Sequence, residues 1–212
     1  MDEGGDRGQS LVSVKIYVEG GGDAKSLRGR CREGVSRLLA RAGFEGRMPA
    51  IVACGGRNET FGSFRTALAI RRKTNDHPIL LVDSEGAISI GADIWDYLKS
   101  RDPWDKPAGC QDDDIHLMVQ CMESWFIADA ATLARYFGRD FHEGSLPKHN
   151  QPESVEKDRI EPALKKASAN CRKGAYDKGA HSFAILGECD PAILRQKAPH
   201  FDRLCKRLEE LL

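Results

Sequence analysis

The sequence lacks a long apolar run, a signal-peptide pattern and any net charge. No stretch approaches the roughly 20 apolar residues that cross a bilayer, and the polar start MDEGGDRGQS has no apolar core that could direct secretion. Lysine plus arginine number 32, and so do aspartate plus glutamate. This balance argues against a nonspecific coat for nucleic acid but allows a local basic face. We therefore expect a cytoplasmic protein with no membrane partner.

Cysteine pairs at short spacing, the usual sign of structural zinc, are also lacking. The pattern predicts reduced thiols rather than disulfides or a zinc site. No cysteine has a convincing histidine partner in the sequence, so thiol catalysis is not expected. The seven cysteines are odd in number and widely separated: Cys31, Cys54, Cys110, Cys121, Cys171, Cys189 and Cys205.

Four short segments rich in apolar and β-favouring residues predict strands. The third carries the continuous run ILLV, which is typical of a strand buried on both faces of a parallel sheet. Amphipathic helical patterns separate the early strands. Alternation of strand and helix at this length predicts an α/β fold, with a mainly parallel central sheet flanked by helices. The predicted strands cover residues 11–18, 48–54, 77–83 and 115–121.

The predicted domain organisation has three parts. Residues 1–10 contain nothing that can be buried and are expected to be disordered. Residues 11–137 hold the alternating strands and helices and predict the α/β core. Helical patterns predominate afterwards, so residues 138–212 are predicted to form a helical C-terminal extension packed on that core.

Acidic side chains follow three of the predicted strands directly. Because the carboxyl ends of parallel strands share one edge of a sheet, these acids are expected to meet there. Converging carboxylates repel one another unless a cation neutralises them, and magnesium prefers oxygen ligands. The pattern therefore predicts a site for Mg²⁺ or Mn²⁺, or else a carboxyl group with a strongly raised pKa. The predicted ligands are Glu19, Asp83, Glu85 and Glu123.

Three glycines, Gly20, Gly21 and Gly22, follow Glu19. They permit a sharp turn that leaves the Glu19 carboxylate accessible above the strand end, and Asp23 is predicted to cap the next helix. An ordinary turn with a solvated acid is the alternative. A dinucleotide-binding loop is disfavoured, because the glycines do not follow the G-x-G-x-x-G spacing and Asp23 would repel a pyrophosphate.

Basic residues cluster on one helix and in one later segment. Arg30, Arg37 and Arg41 share a face of the first predicted helix, and residues 165–181 form the most basic stretch of the chain. Both could contact a phosphate backbone, or could simply be solvated. Within the second cluster Lys173 is a candidate for nucleic-acid binding. Lys178 is a candidate for the same role and for stabilising charge on a reacting phosphate.

The pair of motifs VEGGGD and LLVDSEG resembles the TOPRIM signature, an E-G-x-x-D/E loop after the first strand and a D-x-D-type motif after a later one. The TOPRIM family includes type IA and type II topoisomerases, bacterial primases and overcoming-lysogenization-defect nucleases. QCMESWFIAD and KGAYDKGAHSF resemble small stand-alone bacterial TOPRIM-like proteins, some encoded beside ATPases in apparent defence loci. The resemblance covers residues 12–130, extended by the last motif to 187. Glu85 departs from the signature and reaches one methylene further than aspartate.

The resemblance implies that Glu19 acts as general acid or base while Asp83 and Glu85 hold magnesium. It implies a metal-dependent nuclease that cleaves phosphodiester bonds in DNA or RNA, acting in bacterial antiviral defence. The implied partners are nucleic acid, an ATPase subunit and a second copy of the chain. Two alternatives remain open: a regulatory or adaptor subunit without turnover, and a phosphatase or nucleotidyl-transfer enzyme acting on a small phosphoester.

Overall fold

The predicted α/β fold class is confirmed by the structure, a computed structural model that describes residues 13–148 and 150–212. The predicted disorder of residues 1–10 therefore lies outside the described residues. A four-stranded, all-parallel sheet has the strand order β2-β1-β3-β4. Its strands are β1 (Ser13–Glu19), β2 (Ala50–Gly55), β3 (Asp76–Asp83) and β4 (Ile115–Met118).

Helices cover both faces of the sheet. On one face α2 and α3 pack together, and the other face is covered by α1 and the later helices. No helix among the described residues is long and apolar enough to span a membrane. The helices are α1 (Lys25–Leu39), α2 (Arg57–Thr74), α3 (Ile94–Arg101), α4 (Glu123–Ala128), α5 (Ala130–Phe137), α6 (Lys157–Ser168), α7 (Lys178–Glu188), α8 (Pro191–Lys197) and α9 (Pro199–Leu211).

The central strand β3 explains the continuous apolar run in the sequence. Successive side chains of a strand point to opposite faces, so Ile79 and Leu81 enter the core beneath α1 while Leu80 and Val82 enter the core beneath α2. All four are almost fully buried. A run that alternated with polar residues would have left one face without a core.

The strand register brings the carboxyl ends of the strands to one edge. Glu19 of β1 lies opposite Gly55 of β2, and Asp83 of β3 lies opposite Met118 of β4. The loops that follow these residues therefore meet above the same edge. The sequence pattern predicts that the acids lie at this edge.

Some local predictions are wrong. Asp23 does not cap α1, because the cap position is Ala24 and no side chain bonds the helix start there. The helix predicted from residue 123 to about 137 is divided at Asp129, whose carboxylate accepts the backbone N–H of Thr132 at 3.1 Å and that of Asp190 at 2.8 Å. Asp129 thus caps α5 and ties it to the segment that precedes α8.

The C-terminal helices pack on the sheet core. Phe201, Leu204 and Leu208 of α9 belong to the same buried cluster as Ile16 and Leu81 of the sheet. Helix α7 lies along α1. All seven cysteines are free thiols, and six of them are buried.

Candidate functional site

A cavity of about 290 Å³ opens at the carboxyl edge of the sheet. Glu19 and Asp83 contribute its acidic side, and Lys178 at the start of α7 contributes a cation. The glycine loop after β1 forms another wall. The structure therefore brings together residues that are up to 159 positions apart in the chain, the difference between 178 and 19.

The glycine loop is held tightly against its neighbours. The Gly20 N–H donates to the Gly55 carbonyl at 2.9 Å. A Cβ atom at Gly55, whose φ is +94°, would lie 2.5 Å from the Gly22 carbonyl oxygen. A Cβ atom at Gly21 would lie 2.6 Å from the backbone nitrogen of Arg28. These positions need glycine because backbone approaches backbone where a side chain would stand.

Glu19 is held at the end of β1 by two donors. Its Oε2 atom accepts the backbone N–H of Asp83 at 3.2 Å and the Nη1 of Arg57 at 3.2 Å. Burial raises the pKa of Glu19, while Arg57 and the Asp83 N–H oppose that rise. A carboxyl group whose pKa is raised toward neutrality is suited to proton transfer.

Asp83 is the acid at the carboxyl end of β3. Its side chain is buried and its Oδ1 atom accepts the backbone N–H of Met122 at 2.9 Å. Burial is the main cause of a pKa well above the usual range, and repulsion from Glu19 and Glu123 adds to it. Lys178 opposes the rise. Asp83 therefore carries a proton more readily than an exposed aspartate, unless a further cation is present.

Glu123 and Lys178 form a charged pair beside Asp83. The Oε1 atom of Glu123 accepts the Tyr176 hydroxyl at 2.9 Å and lies 3.4 Å from the Lys178 Nζ atom. Burial lowers the pKa of Lys178, but attraction to Glu123 and Asp83 outweighs it and the net pKa is raised. Lys178 is thus held protonated at the cavity. The structure places both sequence candidates at the site.

Glu85 lies at the same edge, but its carboxylate is paired with basic side chains. It adopts a positive φ of 65° directly after β3. Its Oε2 atom forms an ion pair with Lys157 of α6 and lies 3.7 Å from the Nη2 of Arg101. In this arrangement the carboxylate of Glu85 is neutralised by the protein itself. Its role as a metal ligand stays a prediction.

Arg57 is a site residue that sequence reasoning missed. Besides Glu19, its guanidinium donates to the Asp83 carbonyl and forms a bidentate pair with Asp102, at 2.9 Å and 2.6 Å. It also lies over the ring of Trp104, 4.8 Å from the ring centroid. One signal in the sequence could have indicated it: Arg57 follows Gly55 and Gly56 at the end of a predicted strand, as Glu19 and Asp83 stand at the ends of theirs.

We expect Arg57→Lys to lower the free energy of unfolding by about 1–2 kcal/mol, because lysine keeps the charge but loses the bidentate fork and the planar stacking surface. Urea unfolding measures the change. Arg65→Lys is the matched control: Arg65 lies on the same helix over the ring of Phe61, 5.9 Å from its centroid, but is exposed. Equal losses in the two variants would contradict a special role for Arg57.

The basic residues predicted to bind nucleic acid make contacts within the protein. Arg30 donates to the Gly179 carbonyl at 2.9 Å, and Arg41 donates to the Cys189 carbonyl at 3.0 Å. The side chain of Arg37 packs on the backbone of α7, and Lys173 lies 3.6 Å from the centroid of the Tyr136 ring. The arginines therefore join α1 to the extension. Contact of these four residues with nucleic acid stays a prediction.

The chemistry of the donors fits a hard divalent cation. Magnesium takes one or two carboxylates and leaves its other positions to water and substrate phosphate. Glu19 and Asp83 supply two, and a cation between them would remove the repulsion that contributes to the raised pKa of Asp83. Across residues 13–148 and 150–212, no three His, Cys, Asp or Glu side chains gather around one point. The fit is thus to an ion held by two carboxylates.

Fold and site together define an α/β protein with a parallel sheet and a buried cluster of acids, with one lysine, at its carboxyl edge. The chain belongs to the family described as Domain of unknown function (DUF4276), whose family model matches residues 18–209. No curated protein and no solved structure matches the chain.

Proposed function

We propose that the protein is a TOPRIM-like, magnesium-dependent nuclease that hydrolyses phosphodiester bonds in DNA or RNA. The observation that supports this proposal is the meeting of Glu19, Asp83 and Lys178 on one cavity. Two carboxylates suit a divalent cation, and a protonated lysine beside them suits a phosphate. The motifs around Glu19 and Asp83 are those that resemble the TOPRIM signature.

The residues of the site divide the tasks of the proposed reaction, and Glu19 has two of them. A bound magnesium ion supplies charge neutralisation and a more acidic water. The water oxygen forms a bond to phosphorus while the bond to the leaving ester oxygen breaks. Glu19 accepts the proton that the water loses, Lys178 stabilises the charge on the phosphate, and the leaving oxygen takes a proton from solvent. Asp83 and Glu19 hold the ion, and Arg57 fixes the orientation of Glu19.

We expect purified protein to cleave DNA or RNA with Mg²⁺ or Mn²⁺ and to lose that activity in EDTA. Glu19→Gln should lower the rate by about a hundredfold or more, because it removes the group that accepts the proton. Gel assays on labelled single-stranded and duplex DNA and RNA measure the rate. The control is Glu45→Gln, since Glu45 is exposed and precedes β2 at the opposite edge of the sheet.

The proposal is contradicted if no nucleic acid is cut under any metal condition, both alone and with a co-purified ATPase. Recovery of a stoichiometric ATPase, with full biological function in the Glu19→Gln variant, would instead support the adaptor alternative. Antiviral protection in cells that carry wild-type or Glu19→Gln protein tests the predicted defence role. Sedimentation of the purified chain tests the predicted homodimer.

A further inference from the structure

The cavity at the site is lined by charged and by apolar side chains. The apolar part consists of the side chains of Leu27, Met122 and Phe183 together with the backbone of the glycine loop. The volume of about 290 Å³ lies just below the range for small-molecule sites, which is roughly 300–1,000 Å³. Apolar walls of this kind suit a flat ring rather than a chain of charges.

The depth of Asp83 restricts what can reach it. The residue is only 6% exposed, so a phosphate that approaches the Asp83 carboxylate must enter the cavity. A phosphate in a polynucleotide brings its own sugar and base with it. A cavity of this size admits one nucleoside, whereas the two stacked and paired strands of a duplex are too wide to enter.

A second cavity, of about 250 Å³, adjoins the first and shares Lys178 with it. It is bordered by Lys157 and Lys165 of α6 and by the acids Glu123, Asp158 and Glu161. Both of these lysines already face a carboxylate: Lys165 lies 2.8 Å from Glu161, and Lys157 pairs with Glu85. Because Lys165 is exposed, its ammonium can contact a phosphate without losing hydration by burial.

We propose that the site binds single-stranded polynucleotide, with one unpaired nucleoside in the apolar cavity and the next phosphate along the strand at Lys165. The reacting phosphate then lies at Lys178, between the two cavities. This inference rests on the proposed nuclease function. The apolar walls contact the face of the base rather than its hydrogen-bonding edge, so binding is tolerant of base identity.

Fluorescence anisotropy tests the proposal with labelled DNA and RNA oligonucleotides of 12 nucleotides. The binding protein is the Glu19→Gln variant in a buffer that contains Mg²⁺, because its slow turnover leaves the oligonucleotide intact. We expect a single strand to bind at least about tenfold more tightly than a duplex whose two ends are closed by non-nucleotide linkers, because only the single strand offers an unpaired base for stacking. Single strands of different base composition should bind within a few-fold of one another.

Two further substitutions, each made in the Glu19→Gln variant, test the two cavities separately. Leu27→Trp fills the apolar cavity and should weaken binding about tenfold, by the loss of one stacked base. Its control, Ser26→Trp, adds the same ring at an exposed position next to it in α1. Lys165→Gln should weaken oligonucleotide binding about fivefold and lower the salt dependence, as the loss of one phosphate contact does.

Lys166→Gln is the control for Lys165→Gln, because Lys166 is an exposed neighbour that borders a different surface. Both changes remove one charge, so equal effects would overturn the role of Lys165.

Equal binding of the closed duplex and the single strand, or no binding of either, would overturn the inference. If the wild-type protein cleaves the closed duplex rapidly, the single-strand inference is overturned but the nuclease proposal is supported. Tight single-strand binding without wild-type cleavage would contradict the nuclease proposal alone.

Discussion

Asp83→Asn is expected to abolish metal-dependent cleavage and at the same time to raise the melting temperature of the metal-free protein. The loss should be at least about a thousandfold, because an ion held by two carboxylates contributes several kcal/mol to the reaction. The gain in stability has a separate cause. Asparagine has no charge to bury and keeps an oxygen that can accept the Met122 N–H.

The pH dependence of that gain follows from the raised pKa of Asp83. As pH rises above the ordinary aspartate pKa of 3.8, the unfolded chain loses this proton first, while the folded protein retains it. Wild-type stability therefore falls, relative to the variant, as pH rises toward the raised pKa of the folded state. We expect little difference between the proteins below the ordinary pKa and a rise of roughly 3–6 °C in the variant above the raised one.

Thermal unfolding in EDTA and in millimolar Mg²⁺ measures both effects. Magnesium should raise the melting temperature of the wild type, since a ligand that binds the folded state stabilises it, but should leave Asp83→Asn almost unchanged. Asp140→Asn removes an exposed acid and serves as the control. If magnesium stabilises all three proteins equally, the metal site is not where we place it. If Asp83→Asn melts lower than the wild type in EDTA, burial of the Asp83 charge does not destabilise the protein as described.

Gly34→Ala is expected to lower the free energy of unfolding by about 3 kcal/mol, near the upper end of the cost of overpacking a core. A Cβ atom at Gly34 would lie 2.4 Å from the carbonyl oxygen of Phe183 and 3.2 Å from its Cα. These are backbone atoms of α7 and cannot rotate away. Helix α7 must instead shift from α1, and with it Lys178, which begins α7.

The same substitution at Gly29 provides a matched control. Gly29 lies five residues earlier in α1, and the nearest atom to an added Cβ there is the Arg32 Nη2, at 3.8 Å. Alanine is the better helix former by about 1 kcal/mol, so Gly29→Ala should stabilise the protein. Urea unfolding of both variants measures the contrast. Equal effects on stability would show that α1 and α7 do not approach as closely as described.

Local patterns were sufficient to predict the strands and the edge at which the acids meet. The unbroken ILLV run of β3 indicated a strand with a core on each face. The ends of the first and third apolar runs placed Glu19 and Asp83 at strand ends. Parallel strands carry their carboxyl ends to one edge whatever the details of packing. Residue type and order therefore set the fold class and the meeting of these two acids.

Contacts between distant segments could not be read in this way. Nothing in the pattern of the first predicted helix indicated that Arg30 binds the carbonyl group of Gly179 and that Arg41 binds that of Cys189. Nor did any pattern indicate that Lys157 pairs with Glu85 from 72 positions away. A charged side chain satisfies helical periodicity equally well in water or against a neighbouring helix. Which of the two it does depends on where that neighbour packs.

The segment from Ser13 to Gly22 shows both what the sequence alone determines and what the tertiary structure adds. Its composition determines a strand, an acid at the strand end and a turn that only glycine can make. The partners of Glu19 were decided by the tertiary structure: Arg57 comes from the start of α2, 38 positions away, and Lys178 reaches the same cavity because α7 packs closely on α1 at Gly34. Side-chain chemistry is local, but the charges that surround a buried acid are set by the packing of the whole fold.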